Sequence, residues 1–277
     1  MTDSPDFDPL AVPIRPASTV MLVADRPDLQ VLMLRRNAAT IFAGDMWVYP
    51  GGSVDPDDAE RSAPWCSGLD DRAASEQLAV GRGGLAYWVA AIRECFEEAG
   101  VLFADLPDDA DLAVRLARHR DALNNRRASF CDIVEAERLR LRADQLHLVG
   151  HWITPLGSPR RFDTRFFLAP FPDGQEPMHD ESEAVHHEWV RPADAVAAWR
   201  DDRMAMMSPT ARMLMNLAAF ESAAQAVAAA ASRFDPHQVR VRHDEAGRYH
   251  ILMPGDAGYD EGDGEREFGW VALRPDR

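Results

Sequence analysis

The chain has 277 residues, 46% hydrophobic and 27% charged, which is enough for one large domain or two small ones with a sizeable core. Its formal net charge is −16, its pI about 4.9, and all 30 basic residues are arginine. A chain this acidic lacks the basic footprint that nucleic acids and anionic membranes require, and an anionic substrate needs local help, of which bound divalent cations are one source.

Cys66, Cys95 and Cys131 are widely spaced and odd in number, so they give neither a disulfide framework nor a zinc pattern, and they suit a reducing cytosol. The opening MTDSPDFDPL carries acids and prolines where a signal peptide has basic and then apolar residues. The run AAQAVAAAA is too short to span a membrane. The sequence therefore reads as a cytoplasmic protein.

In chain order, residues 1–17 read as an extended, proline-rich arm. STVMLVAD (18–25) and QVLMLRR (30–36) predict a hairpin, and MWVYPGGSVDPDD (46–58) a short strand running into a Pro-Gly-Gly turn. Residues 59–83 lack periodicity and read as a long loop or insertion. GLAYWVAAIRECFEEAG (84–100) predicts a helix, with an apolar stripe of Leu85, Trp88, Val89, Ile92 and Phe96 and a C-terminal stop at Gly100. Residues 108–145 carry helical pattern without β signals and predict two helices around NNRRAS. LHLVGHWITP (146–155), RRFDTRFFLA (160–169) and EAVHHEWV (183–190) predict three strands. A short helix over 192–200, a long one over 208–231 and a hairpin over 239–253 follow, with an acidic stretch after it. Strands interleaved with helices point to a mixed sheet with helices packed on it.

Within the 84–100 helix, Glu94, Glu97 and Glu98 lie at i, i+3 and i+4, on one face where like charges repel. They also sit at the C-terminal end, where the macrodipole disfavours negative charge. Arg93 is the one base in close reach. A solvated acidic face is the plain alternative. The broken local rules and the glycine turn upstream favour a site instead, since hard divalent cations take carboxylate oxygens and would offset the repulsion.

The residues PGG and RECFEEAGV resemble the box of the Nudix family, G-x5-E-x7-R-E-U-x-E-E-x-G-U with U apolar. Gly52 matches its first glycine, and Arg93, Glu94, Cys95, Glu97, Glu98, Gly100 and Val101 match its second half without a gap. Asp58 stands at the position of the first glutamate. Gly52 and Arg93 are 41 positions apart where the pattern has 14, so about 27 residues are inserted. The expectation is that this insertion carries Asp58 away from its usual place. An interrupted box is similar to the branch of the family that includes the mammalian peroxisomal acyl-CoA diphosphatase. HWITPLGSPRRFDTRFFLA, SPTARMLMNLAAF and ILMPGDAGY look like the same branch.

The resemblance implies an α+β fold, a Nudix αβα sandwich with a mixed sheet, in one domain over 1–277. The domain carries the box insertion at 59–83, a helical insert at about 105–145 and a C-terminal extension at about 234–277. It implies a Mg²⁺- or Mn²⁺-dependent diphosphohydrolase in which water attacks phosphorus. Glu97 and Glu98 are then metal ligands, Glu94 is a ligand or an orienting base, and the carbonyl of Gly51 or Gly52 completes the sphere. Arg93 pairs with the glutamates and fixes their rotamers. A glutamate outside the box supplies a base or a further ligand, with Glu183 preferred to Glu181; an acidic loop is the alternative for both.

Coenzyme A or acyl-CoA is the leading substrate, with ADP-ribose, NADH or a nucleotide sugar as the alternative and a non-catalytic binding module as a third reading. An upstream coenzyme A motif is partly met: Arg36 fits, while Ile41 and Asp45 stand where Arg and Gly are expected. The insertion's Trp65, Leu69 and Leu78 would line the substrate's long arm or pack on the core. His179, His186 and His187 cluster without zinc spacing and read as loop and strand polar residues. Arg160, Arg161 and Arg165 form a small basic patch, with Arg160 on the opposite strand face from the other two. No nucleic acid or membrane is expected as partner, and a homodimer is left open.

Overall fold

A computed structural model describes residues 8, 11–39, 44–61, 63–232, 236–244, 249–254, 256–263 and 268–273. β1 (Ile14–Asp25) and β2 (Leu29–Arg36) form the expected hairpin, followed by β3 (Trp47–Val48) and β4 (Gly51–Ser53) around the Pro-Gly-Gly turn. β1 begins inside the segment expected to be an extended, proline-rich arm, because residues 14–17 pair in parallel with β9 (Arg161–Pro170). β8 (His147–Ile153) and β10 (Ala184–Val190) join them. Among the described residues a nine-stranded mixed sheet results, with its main path β10, β2, β1, β9, β8, then β14 (Gly269–Val271) and β11 (His237–Gln238).

Both faces of the sheet are covered, which is why its central strands are almost continuously apolar. On β1, Val20 and Leu22 face α3 (Leu85–Ala99), meeting Trp88, Ile92 and Phe167 in one core. Met21 and Val23 point the other way, into a second core under α6 (Pro192–Arg200), α7 (Ser208–Leu217) and α8 (Ala223–Ala231). This is the αβα sandwich the sequence predicts. The single long helix expected over 208–231 is two. Ser222 caps α8 by accepting from the Gln225 N–H (3.2 Å), and Asp25 at the end of β1 accepts from Ala223 N–H (2.8 Å), so the second helix is pinned at its own start.

The segment 59–83 is structured rather than a loop. After α1 (Pro56–Glu60) come β5 (Cys66–Ser67) and α2 (Asp71–Leu78). Asp70 caps α2 by accepting from Ala73 N–H at 2.8 Å. Asp71 accepts from the N–H groups of Gly83 and Leu85, both at 3.0 Å, so the insertion caps the start of α3. The helical insert holds α4 (Leu112–Asn124) and α5 (Phe130–Ala136) as expected, with α4 on the far side of Gly100. It also holds a strand that the sequence reading missed, β7 (Arg140–Arg142), which pairs with β5 and with β6 (Ala104–Asp105). The two insertions are thus tied to each other. The tail hairpin is present as β12 (Arg240–His243) and β13 (Tyr249–Leu252). No helix among the described residues is long and apolar enough to cross a membrane.

Candidate active site

α3 is buried nearly all round. Besides the apolar stripe, Arg93, Glu94 and Glu98 are 6%, 9% and 4% exposed, which excludes an ordinary solvated acidic face. Burial of charge needs compensation, and here it is local. Arg93 donates through Nη1 to Glu94 Oε1 (2.8 Å) and Glu97 Oε1 (2.9 Å), and through Nη2 to the Ser53 carbonyl (2.7 Å). Glu98 Oε2 accepts from Gly51 N–H at 2.8 Å. The dipole conflict at the C-terminal end of α3 is met from α4, where Arg120 Nε and Asn124 Nδ2 donate to the Glu97 carbonyl at 3.0 and 3.2 Å. Gly100 closes the helix at φ +70°, donating to the Phe96 carbonyl at 3.1 Å.

Asp58 is not carried away by the insertion. It is 2% exposed and takes Arg93 Nε on Oδ1 (3.1 Å) and Nη2 on Oδ2 (3.0 Å), closing the box across the inserted residues. The reason is local. The spacing from Gly52 to Asp58 keeps the family's x5, and α1 forms at once, with Asp58 Oδ2 accepting from Asp55 N–H at 2.8 Å. Asp58 is therefore fixed before the extra residues begin. The acid at the third position of a proline-started helix, in DPDD, was the signal available in the sequence.

The glycines of the turn are needed for close approach. A Cβ on Gly52 would stand 2.4 Å from Glu94 Oε1, and one on Gly51 2.4 Å from the Ser18 carbonyl. Glu183 pairs with Arg36 and, with Gly52, Glu94 and Glu97, lines one cleft of about 1470 Å³. Glu98 lies beneath that surface. Glu181 is exposed, with φ +65°, and stands outside the cleft lining.

Burial pushes the Glu94 carboxyl up to about 8, against the opposing pull of Arg93 and with the charges of Glu97 and Glu183 adding to it. Burial likewise holds Glu98 well above the usual carboxylate range, reinforced by Glu94 and Glu183. Glu97 is raised by the same cause. Each of the three glutamates ties one oxygen to a protein donor and keeps a second that takes no hydrogen bond from the described residues. Such an oxygen-only donor set suits a hard divalent cation. Among the described residues no three His, Cys, Asp or Glu groups are already gathered around one point, because Glu94 and Glu97 are drawn towards Arg93.

The remaining candidates fall elsewhere. His179 and His187 approach through their Nδ1 atoms at 2.9 Å, and His186 stacks on His187. Arg165 is buried and bound to Asp163 (2.5 Å), which also takes His151 Nε2 (2.7 Å), while Arg161 donates to the Thr154 carbonyl at 3.0 Å. Arg160 lies on the opposite face and lines the cleft. Trp65 and Leu69 pack against the α3 core and Leu78 is part of it; none of the three lines the cleft. Cleft walls come instead from the α4–α5 turn and from Trp152, Phe162 and Phe268; the first two lie in HWITPLGSPRRFDTRFFLA, which carries the family resemblance without marking either as a wall.

A mixed sheet between two helical layers, with a glutamate helix packed against a glycine turn, is the arrangement of the Nudix hydrolases, and the chain belongs to that family: residues 70–217, just over half of it, match the profile described as the NUDT19 Nudix domain. It is similar to the Acyl-coenzyme A diphosphatase NUDT19 of Gallus gallus, 27% identical over 266 residues, covering 75% of this chain and 69% of that protein. The Homo sapiens protein of the same name is 25% identical over 232 residues, covering 70% and 61%. The chain spans between 53% and 69% of the length of the curated relatives it matches. The crystal structure of a NUDIX hydrolase from Alicyclobacillus acidocaldarius superposes with a TM-score of 0.62 at 27% identity, covering 79% of this chain and 97% of that one.

Proposed function

We propose that the protein is a Mg²⁺- or Mn²⁺-dependent diphosphohydrolase that cleaves coenzyme A or acyl-CoA at its diphosphate. The observation that carries this reading is the closed box: Asp58, Arg93, Glu94 and Glu97 in one network, at the end of a cleft of about 1470 Å³. Glu97 and Glu98 would hold the cation with Glu94 and a carbonyl of the Gly51–Gly52 turn. When bound, the cation neutralises charge on the phosphate oxygens and acidifies the attacking water.

The chain's own residues do the rest. Arg93 ties Glu94 and Glu97 to Asp58 and to the turn, so the carboxylates are held at the cleft end before substrate arrives. In this reading Glu183 takes a proton from water or serves as a further ligand; its pair with Arg36 and its influence on the proton affinity of Glu94 and Glu98 support it.

Similarity to the NUDT19 diphosphatases supports the coenzyme A substrate. So does Asp45, the residue standing where the coenzyme A motif has glycine. Its φ of +64° is the left-handed conformation glycine favours, and aspartate adopts it more readily than most residues. Ile41, the other departure from that motif, lies outside the described residues. A binding module without turnover fits less well, because gathering Asp58, Glu94 and Glu97 around one buried arginine is costly and serves no binder. A kcat/KM ranking over CoA, acyl-CoA, ADP-ribose, NADH and nucleoside triphosphates, with Mg²⁺ or Mn²⁺, tests the reading. CoA species should rank first; a higher rank for ADP-ribose or NADH would move the substrate to that class, and no turnover of any would favour the binding module.

A further inference from the structure

One end of the cleft is the glutamate cluster. Another part runs over the sheet face along β1 and β9, and its charge is of the opposite sign. Arg15 on β1 stands opposite Phe162 on β9. Arg160 lies two residues before Phe162, in the bend that leads into β9, so it enters the cleft beside the end of β1 that carries Arg15. Both line the cleft and both are exposed.

Of the other cleft arginines, Arg36 has Glu183, Arg93 has the box acids and Arg127 has Asp121, while Arg126, away on the α4–α5 turn, has no ion pair among the described residues. Among the described residues, neither Arg15 nor Arg160 has an ion-pair partner. Two adjacent cations without an acid are unexpected in a chain of net charge −16, where carboxylates outnumber arginines. Like charges side by side on a sheet are destabilising unless something anionic lies between them.

The floor beside them is aromatic. Trp152, Phe162 and Phe268 line this part of the cleft. The Trp152 indole nitrogen is buried without a hydrogen-bond partner, and Trp152 is only 5% exposed. A purine offers an aromatic face that the half-buried Phe162 and Phe268 can stack against.

Position along the strand fits a single nucleoside. Ser18 pairs with Gly52, which touches Glu94, and Arg15 lies three residues back on β1. At roughly 3.3 Å per residue, Arg15 is displaced about 10 Å along β1 from the residue that pairs with Gly52.

We infer that this part of the cleft binds an adenosine whose ribose carries a phosphate of its own, with Arg15 and Arg160 as the residues that read that phosphate. The base lies over Trp152, Phe162 and Phe268, the diphosphate reaches the glutamates, and the extra phosphate sits between the two guanidinium groups. The inference rests on the proposed coenzyme A reading, because coenzyme A carries a ribose 3′-phosphate that ADP-ribose lacks.

Two matched pairs of probes test it. Calorimetry with 3′,5′-ADP and 5′-AMP reads the site without requiring turnover, and kcat/KM for coenzyme A against 3′-dephospho-coenzyme A reads it during hydrolysis. In the wild-type protein the phosphorylated member of each pair should be preferred by about ten-fold or more, as charge-assisted hydrogen bonds allow. In an Arg15→Gln, Arg160→Gln variant that melts cooperatively like wild type, both preferences should fall towards one. Equal binding of 3′,5′-ADP and 5′-AMP by wild type, or a preference that survives in the variant, would overturn the inference. If ADP-ribose outranks every CoA species while 3′,5′-ADP still binds in preference to 5′-AMP through these arginines, the substrate reading fails and the phosphate site stands.

Discussion

Asp58 and Arg93, 35 residues apart in sequence, meet as a buried pair, with side chains 1% and 7% exposed and Arg93 Nη2 3.0 Å from Asp58 Oδ2. Burial raises the proton affinity of Asp58, and the neighbouring guanidinium offsets part of that. Asp58→Asn leaves Arg93 its pairs with Glu94 and Glu97 but weakens its charged hydrogen bonds to residue 58, so it should destabilise the protein by about 1–3 kcal/mol, and it should lower kcat because Arg93 loses the anchor that orients Glu94 and Glu97. Urea melts and steady-state rates measure both; wild-type values for each would mean that the insertion isolates Asp58 after all.

Glu98→Gln keeps an oxygen to accept from Gly51 N–H, so its fold should survive. The amide is a poor ligand for a hard cation. Wild type should gain in melting temperature with millimolar Mn²⁺ over EDTA, by linkage worth about 2.7 kcal/mol at a hundred-fold excess over Kd. Glu98→Gln should lose most of that gain, and both it and Glu97→Gln should lose orders of magnitude in turnover.

The raised carboxyl of Glu94 fixes a sign for pH dependence. Its proton is held to about 8 in the fold against an ordinary value of 4.5, so the folded state binds more protons between those limits. The corresponding stability is present below about pH 4.5 and is lost as pH rises to about 8. Glu97 and Glu98 shift in the same direction. Metal-free wild type should thus lose stability over this window relative to Glu94→Gln, and Mn²⁺ should stabilise wild type more at pH 8 than at pH 5, with protons released on binding. Chemical denaturation at the two pH values, with and without EDTA, measures the difference.

Gly52→Ala should leave the fold nearly intact and damage the site. The added methyl would press on the Glu94 carboxylate, the movable end of a side chain, whereas at Gly51 it would meet the Ser18 backbone. Gly51→Ala should therefore lower the melting temperature more, and Gly52→Ala should lower kcat at an almost unchanged melting temperature.

The box insertion acts through stability. Leu78 is 7% exposed within the α3 core, so Leu78→Ala should cost about 2–5 kcal/mol. The ratio of CoA to ADP-ribose turnover should stay as in wild type. A changed ratio without a stability loss would return the insertion to the substrate.

Local signals carried most of the fold. The stripe Leu85, Trp88, Val89, Ile92 and Phe96 placed α3, and the run of Glu94, Glu97 and Glu98 after Arg93 marked the candidate site. What remained illegible was set by tertiary contact. α2 is short and polar, and its purpose, capping α3 through Asp71, involves residues 14 positions apart. The break before α8 depends on Asp25, 198 positions away from Ala223. The cleft walls at Trp152, Phe162 and Phe268 come from separate strands and a tail, so no spacing announces them. Asp58 was legible in principle, through the intact interval from Gly52, but the long gap to Arg93 hid that the box closes.

Product analysis after incubation with coenzyme A tests the central claim most directly. With Mg²⁺ or Mn²⁺, mass spectrometry should find 3′,5′-ADP and 4′-phosphopantetheine, and EDTA or Glu97→Gln should abolish both. Intact coenzyme A in the presence of either cation, or the same products undiminished in EDTA, would contradict the account.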